Sequence, residues 1–244
     1  MHLSVRFITL AAVLLAGPLG LRAQSAIPAA GGWQKSIGVS VTPTWCYRTL
    51  SSSGDDFAGS IAEWRDGFEI SRLGYDAGAS LRLTHGDRLS LDMGLSYTSR
   101  GYQTKKRAFV LYDPDPRVPQ SGKTKFNYQL LSVPLQASYA FGQGRLRGFV
   151  GGGVSLDFLL RVRSDDTFYY NDQASHSSSS TTGGYLRGNV TPRLTAGLRY
   201  ALTPQYSLEL APVLQYSLLG SHIHAPISEH LYSAGVNVGL YRKF

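Results

Sequence analysis

From residue 36 onward, apolar and polar side chains alternate. Along 36–48 one face carries Ile37, Val39, Val41, Pro43, Trp45 and Tyr47; the other carries Gly38, Ser40, Thr42, Thr44, Cys46 and Arg48. A period of two places successive side chains on opposite faces of an extended strand. The stretches 72–84 and 88–100 repeat it, the latter setting Leu89, Leu91, Met93, Leu95 and Tyr97 against Ser90, Asp92, Gly94, Ser96 and Thr98. Five more follow at 128–141, 146–162, 190–202, 206–218 and 231–244, with Leu130, Phe149, Leu159 and Val213 intruding on the polar face. Between them, 85–87, 142–145 and 203–205 are tight turns, whereas 49–71, 101–127, 163–189 and 219–230 are long. Long connections follow odd segments and short ones follow even segments. An up-and-down antiparallel barrel in an outer membrane has this shape, with short periplasmic turns and long outer loops. Each segment also exceeds the roughly 9–11 residues a tilted strand needs to cross the hydrocarbon. The expected fold is all-β, an eight-stranded antiparallel up-and-down transmembrane barrel over 36–244.

A secreted soluble barrel of lipocalin type has the same strand count. Charge placement separates the two. Arg48, Arg72, Asp76, Arg82, Asp92, Arg100, Arg147, Asp157, Arg161, Arg193, Arg199 and Glu209 all fall on the polar parity, and only Arg242 falls on the apolar one. An Arg or Lys turned into lipid costs about 2–4 kcal/mol at the midplane, so that partition is what a bilayer demands. A soluble barrel has no reason to keep its outer face aliphatic. Aromatics on the apolar parity gather at both ends of the segments: Trp45, Tyr47, Tyr97, Tyr216 and Tyr232 toward the long loops, and Tyr139, Phe141, Tyr200, Tyr206 and Phe244 toward the turns. Two such rings mark the two water–lipid boundaries.

Composition narrows the picture. Charged residues are only 16% and hydrophobic ones 43% of 244, which excludes a disordered polyelectrolyte. Residues 1–23 read as a secretory signal, with Arg6 before an apolar stretch and Leu21-Arg22-Ala23 before Gln24. Its removal leaves a 24–35 periplasmic lead and lowers the net charge from +8 by the two arginines it carries. The remaining excess suits rims that face anionic lipid, with no need of nucleic acid. Cys46 is alone, which removes disulfides and cysteine-rich metal sites.

The run Phe126-Asn127-Tyr128-Gln129-Leu130-Leu131-Ser132-Val133-Pro134-Leu135 is similar to the Tyr-Leu-x-Ile-Pro-Leu strand of the outer membrane protein beta-barrel domain, or PorT-like, proteins of Bacteroidetes-type bacteria. The glycine-rich 148–156 and the closing 235–244 fit as well, though Arg242 stands where the terminal assembly signal usually has an apolar residue. The resemblance implies a barrel in the outer membrane and, through its named member, a place in a secretion or envelope complex. Its motif is structural and transfers no functional residue.

Candidate chemistry is sparse. Arg82, Asp92, Arg147, Arg199 and Glu209 fall in the turn-side half of the expected lumen; Asp76, Asp157 and Arg193 fall in the loop-side half with Arg48, Arg72, Arg100 and Arg161. An eight-stranded barrel is just wide enough for its own side chains, so these charges are expected to pair into a structural plug, the alternative being a small anion-preferring pore. Ser221, His222, His224, Glu229 and His230 offer a weak metal or lipid-hydrolase constellation, which a polar loop explains equally well. Asp113 and Asp115, or Asp165 and Asp166, lack the spacing of a calcium loop. The Ser/Thr tract 175–182 reads as solvated and mobile, and Lys105-Lys106-Arg107 as a cluster able to meet lipopolysaccharide phosphates. No catalytic, cofactor or metal residue is assigned. The expected partners are outer-membrane lipid, lipopolysaccharide and possible envelope proteins.

Overall fold

The structure, a computed structural model, describes residues 32–52, 56–109, 117–170, 173–223 and 227–244. The signal 1–23, most of the lead, Asp113, Asp115 and His224 lie outside the described residues.

In chain order the elements are β1 (Trp33–Ser52), α1 (Asp56–Asp66), β2 (Glu69–His85), β3 (Leu89–Thr104), β4 (Arg107–Ala108), β5 (Ser121–Phe141), β6 (Leu146–Tyr170), β7 (Gln173–Thr181), β8 (Gly188–Ala201), β9 (Tyr206–Tyr216) and β10 (Ile227–Lys243). Eight of the ten strands, all but β4 and β7, close an antiparallel ring in which β1 pairs with both β2 and β10 and β5 with β6. Each expected strand is present. Several run longer than the alternation alone indicates: β1 takes Trp33–Lys35 from the lead, and β5 and β6 pair from Phe141↔Gly148 up to Ser121↔Tyr169.

The outer wall is apolar. Ile37, Val39, Val41, Leu73, Met93, Leu95, Leu194, Leu198, Leu210, Val236 and Val238 are all exposed, while Thr42, Thr44, Arg48, Asp76, Arg82 and Asp157 on the opposite parity are buried. In water so continuous an aliphatic surface would be an aggregation site; in lipid it is the solvated side. Trp45, Tyr139, Phe141, Tyr200, Tyr206, Tyr216, Tyr232 and Phe244 turn outward at the two rims, and Tyr47 and Tyr97 are half-buried.

Three departures come from local physics. The connection 49–71 contains α1. Its residues Ala58, Ile61, Ala62 and Arg65 follow the 3.6-residue period and form its buried or half-buried face. Second, the Ser/Thr tract pairs along β6, from Val162↔Thr181 to Tyr170↔Gln173, as a regular strand. With β4 it flanks the tops of β5 and β6, so that a four-stranded sheet stands above the ring. Third, two bulges interrupt the ladders, one between Ser71 and Tyr75 and one between Gln129 and Leu130. At the second, Gln129 pairs with Arg161 and Leu130 with Leu159, so Leu160 is the extra residue and alternation along β6 shifts by one.

Candidate functional site

Many charged side chains converge in the lumen, and they are organised in tiers. Nearest the turns, Arg82 Nε donates to Asp92 at 2.5 Å and its Nη2 to Glu209 at 2.7 Å. Arg199 donates to Glu209 at 2.9 Å, to Ser138 at 2.8 Å and to Ser90 at 3.2 Å. Arg82 lies 3.8 Å over the Tyr241 ring and Arg199 4.2 Å over Phe149. The apolar intrusion of Phe149 on the polar face is thus a platform for a guanidinium.

Higher in the ring, Arg100 donates to Asp157 at 3.3 Å and to Gln215, whose amide passes on to Asp76 at 2.8 Å. Asp157 also accepts from Ser155 and Thr191, each at 2.7 Å. Arg193 sits between these tiers, beside a chamber of about 60 Å³ also lined by Gln136, Thr195 and Asn237. Its Nε, like Asp92 Oδ2 and Asn237 Oδ1, has no hydrogen-bond partner in the protein. A chamber of that size and polarity is one that water fills.

The third tier closes the loop-side mouth; sequence reasoning placed Arg48 in this half but missed its partnership with Arg65, Glu69 and Glu229. Arg48 Nε and Arg65 Nε hold Glu69 at 2.6 and 2.8 Å, and Arg48 also reaches Asp66 at 2.6 Å. Glu229 is fully buried and accepts from Arg65 at 2.9 Å, Tyr128 at 2.7 Å and Tyr102 at 3.3 Å. Burial disfavours the charge of Arg65, but its hydrogen bond to the Glu69 carboxylate and the negative charge of Glu229 outweigh it and raise its pKa. Helix α1 is thereby tied across the mouth by Arg65 and Asp66 at its last turn. Below this lid, Tyr102, Tyr128, Leu130, Val162 and Leu231 form an apolar cluster, which accounts for Leu130 on the inner face.

Three arginines expected in the lumen are placed differently. Arg147 lies at the turn-side rim, about a third exposed, donating to the Asp87 carbonyl at 3.0 Å and its carboxylate at 3.4 Å. It lines the edge of an open cavity of about 140 Å³ rather than the plug. Arg161 is exposed on the outer wall because of the bulge at Leu160. Arg72 remains buried but is held by the carbonyls of Leu73 and Phe126 at 3.0 Å each, beside the bulge, with no carboxylate.

The described members of the loop constellation are each engaged separately. Ser221 donates its hydroxyl to the Glu229 carbonyl at 2.9 Å, His230 Nδ1 meets the Ser217 carbonyl at 3.1 Å, and His222 packs 4.5 Å from the Tyr185 ring. Asp165 is engaged by Arg163 and Ser178, and Asp166 by Thr124. Among the described residues no group of three or more His, Cys, Asp or Glu could hold a metal.

A family model described as outer membrane protein beta-barrel domain matches residues 37–211. The chain belongs to that family. This outer membrane protein beta-barrel domain lies in the outer membrane and crosses it with strands. Among solved structures, neisserial surface protein A is 18% identical with a TM-score of 0.46, covering 87% of this chain and 99% of that one. The outer membrane protein OprG from Pseudomonas aeruginosa is 12% identical at a TM-score of 0.43, covering 88% and 96%. The outer membrane protease OmpT from Escherichia coli is 10% identical at 0.35, covering 86% and 97%. At these identities no role passes from them to this barrel. No curated protein matches the chain.

Proposed function

We propose that this protein is a closed, non-catalytic barrel that works through surfaces outside the membrane, as a structural or interaction component of an envelope or secretion assembly of the PorT-like kind. The observation that carries this reading is the filled lumen. Arginine–carboxylate pairs occupy it near the turns, in the upper ring and again under α1, and each pair broken would strand a buried charge at about 3–5 kcal/mol. A passage for solutes would require several of them to part together. Material for contact stands instead above the ring, in the four-stranded sheet of β4, β5, β6 and β7, where β7 pairs only with β6 and is exposed along its length. The purified protein in planar bilayers is expected to give no stable conductance, and crosslinking in native envelopes is expected to recover a discrete protein partner. Large regular openings, or no partner beyond lipid, would overturn the proposal.

A further inference from the structure

Below the bulge, β6 sends Val154, Leu156, Phe158 and Leu160 outward, all exposed. Above it, Val162 is 1% exposed inside the apolar cluster. Arg161 and Arg163, which unbroken alternation would aim into the lumen, therefore lie on the outer side, Arg161 exposed and Arg163 partly so, followed on that face by partly exposed Asp165 and buried Thr167. Residues paired across a ladder share a face, so Lys125 opposite Asp165 and Lys123 opposite Thr167 stand beside them. Lys106 joins from β4's side, its Nζ 3.8 Å over the ring of Tyr169, which lies on the same face.

These cations form a column whose lowest member adjoins lipid. Tyr97 shares its row with Leu131 and Phe158, and in the next row on that side Arg161 is exposed while Ser99 and Gln129 are buried beside it. Arg161 thus stands about 7 Å along the strand above the loop-side aromatic ring, and the Lys123 row about 20 Å above Arg161. The Arg161 Nε donates to Gln129 at 2.5 Å, which orients the guanidinium along the wall. Asp165, the one acid on this face among the described residues, is already engaged by Arg163 at 2.7 Å and Ser178 at 2.6 Å.

We infer that this stripe binds a phosphorylated glycolipid of the outer leaflet. Arg161 lies at the level of headgroup phosphate, and Arg163, Lys125, Lys123 and Lys106 stand along anionic groups of the sugar chain above it. A soluble polyanion fits less well, since the lowest cation sits against exposed Phe158 and Leu160 and is reached from within the lipid layer. The inference is independent of the protein partner proposed above: a barrel with no such partner would bind the glycolipid all the same.

The test titrates the purified full-length protein, in detergent micelles, with lipopolysaccharide, with the same lipopolysaccharide after enzymatic removal of its phosphates, and with inorganic phosphate. Arg161→Gln and the pair Lys123→Gln/Lys125→Gln alter exposed side chains and are expected to fold, as the gel shift between boiled and unboiled samples would report. Each lost cation is expected to weaken lipopolysaccharide binding about fivefold, and Arg147→Gln at the opposite rim is expected to leave it unchanged. Equal affinity for the dephosphorylated form, wild-type binding by both variants, or displacement by inorganic phosphate at matched concentration would each overturn the assignment.

Discussion

Replacing Arg82 by Met tests the closed lumen most directly. The Arg82 side chain is 6% exposed and bridges Asp92 and Glu209. Met keeps much of the aliphatic stem and removes the charge. Glu209 then still has Arg199 at 2.9 Å, but Asp92 loses the one hydrogen-bond donor it has among the described residues, its Oδ2 having none already. One stranded carboxylate in a buried site corresponds to a loss of about 3–5 kcal/mol, and the contact over Tyr241 adds on the order of 1 kcal/mol. The double variant Arg82→Met/Asp92→Leu removes the stranded charge and leaves the Glu209–Arg199 pair, so most of the loss is expected to return. Arg147→Gln, whose partner Asp87 is largely exposed, is expected to stay within about 1 kcal/mol of wild type. Urea unfolding in lipid vesicles, followed by tryptophan fluorescence, measures all three. Arg82→Met within about 1 kcal/mol of wild type, or a double variant no better than Arg82→Met alone, would refute the reasoning.

Glu229→Gln weakens the anchor of Arg65, and since hydrogen bonds to charged groups contribute about 1.5–3 kcal/mol each, α1 is expected to exchange amide hydrogens at least tenfold faster while β9 and β10 do not. Gly153→Ala drives a Cβ into the Leu135 carbonyl oxygen across the β5–β6 ladder; the fraction reaching the heat-modifiable folded form should fall sharply, and wild-type yield would contradict the close approach. The Asp165 carboxyl is held below its ordinary pKa by the Ser178 hydroxyl first and then by Arg163, against a burial effect of opposite sign. A depressed folded pKa stabilises above the unfolded value and is lost as pH falls through the folded one, so the β6–β7 ribbon is expected to loosen only below the usual carboxylate range, as hydrogen exchange at graded pH would show.

Much of this fold was legible because a bilayer enforces alternation more strictly than water does. Strand count, turn positions and the inner parity of Asp76, Arg82, Asp92, Asp157, Arg193, Arg199 and Glu209 all follow from it. What escaped had a shorter or different period. Ala58, Ile61, Ala62 and Arg65 carry a helical stripe inside a connection read only for strands, and with α1 went the mouth tier of Arg65, Glu69 and Glu229. The Ser/Thr tract has no apolar face, so nothing in its composition distinguishes a solvated strand from a coil; its pairing is dictated by the length of β6. The bulge at Leu160 is marked in the sequence only by Leu159 on the inner parity, an intrusion of the same kind as Leu130, Phe149 and Val213, so parity alone places Arg161 on the wrong side. Arg147 kept the inner parity but lies at the last turn-side row, where parity no longer implies burial.

The charged lumen also bears on how the barrel finds its register. An apolar interior would pack an eight-stranded ring at least as stably, because buried ion pairs often gain little over well-fitted hydrophobic residues. With aliphatic side chains on both faces, however, a one-residue slip of any strand would change little, whereas a slip of the present β8 turns Arg193 and Arg199 into lipid. At about 2–4 kcal/mol for each near the midplane, one misregistered strand forfeits much of the roughly 5–15 kcal/mol that holds a domain together. Replacing Asp76, Arg100, Asp157 and Arg193 together by Leu or Met is therefore expected to leave the folded barrel as heat-resistant as wild type or more so, while the fraction that assembles correctly falls. Folded yield and melting temperature read from the same boiled-versus-unboiled gels separate the two. A variant that assembles as completely as wild type would mean that strand register is set elsewhere, in the bulges and the tight turns.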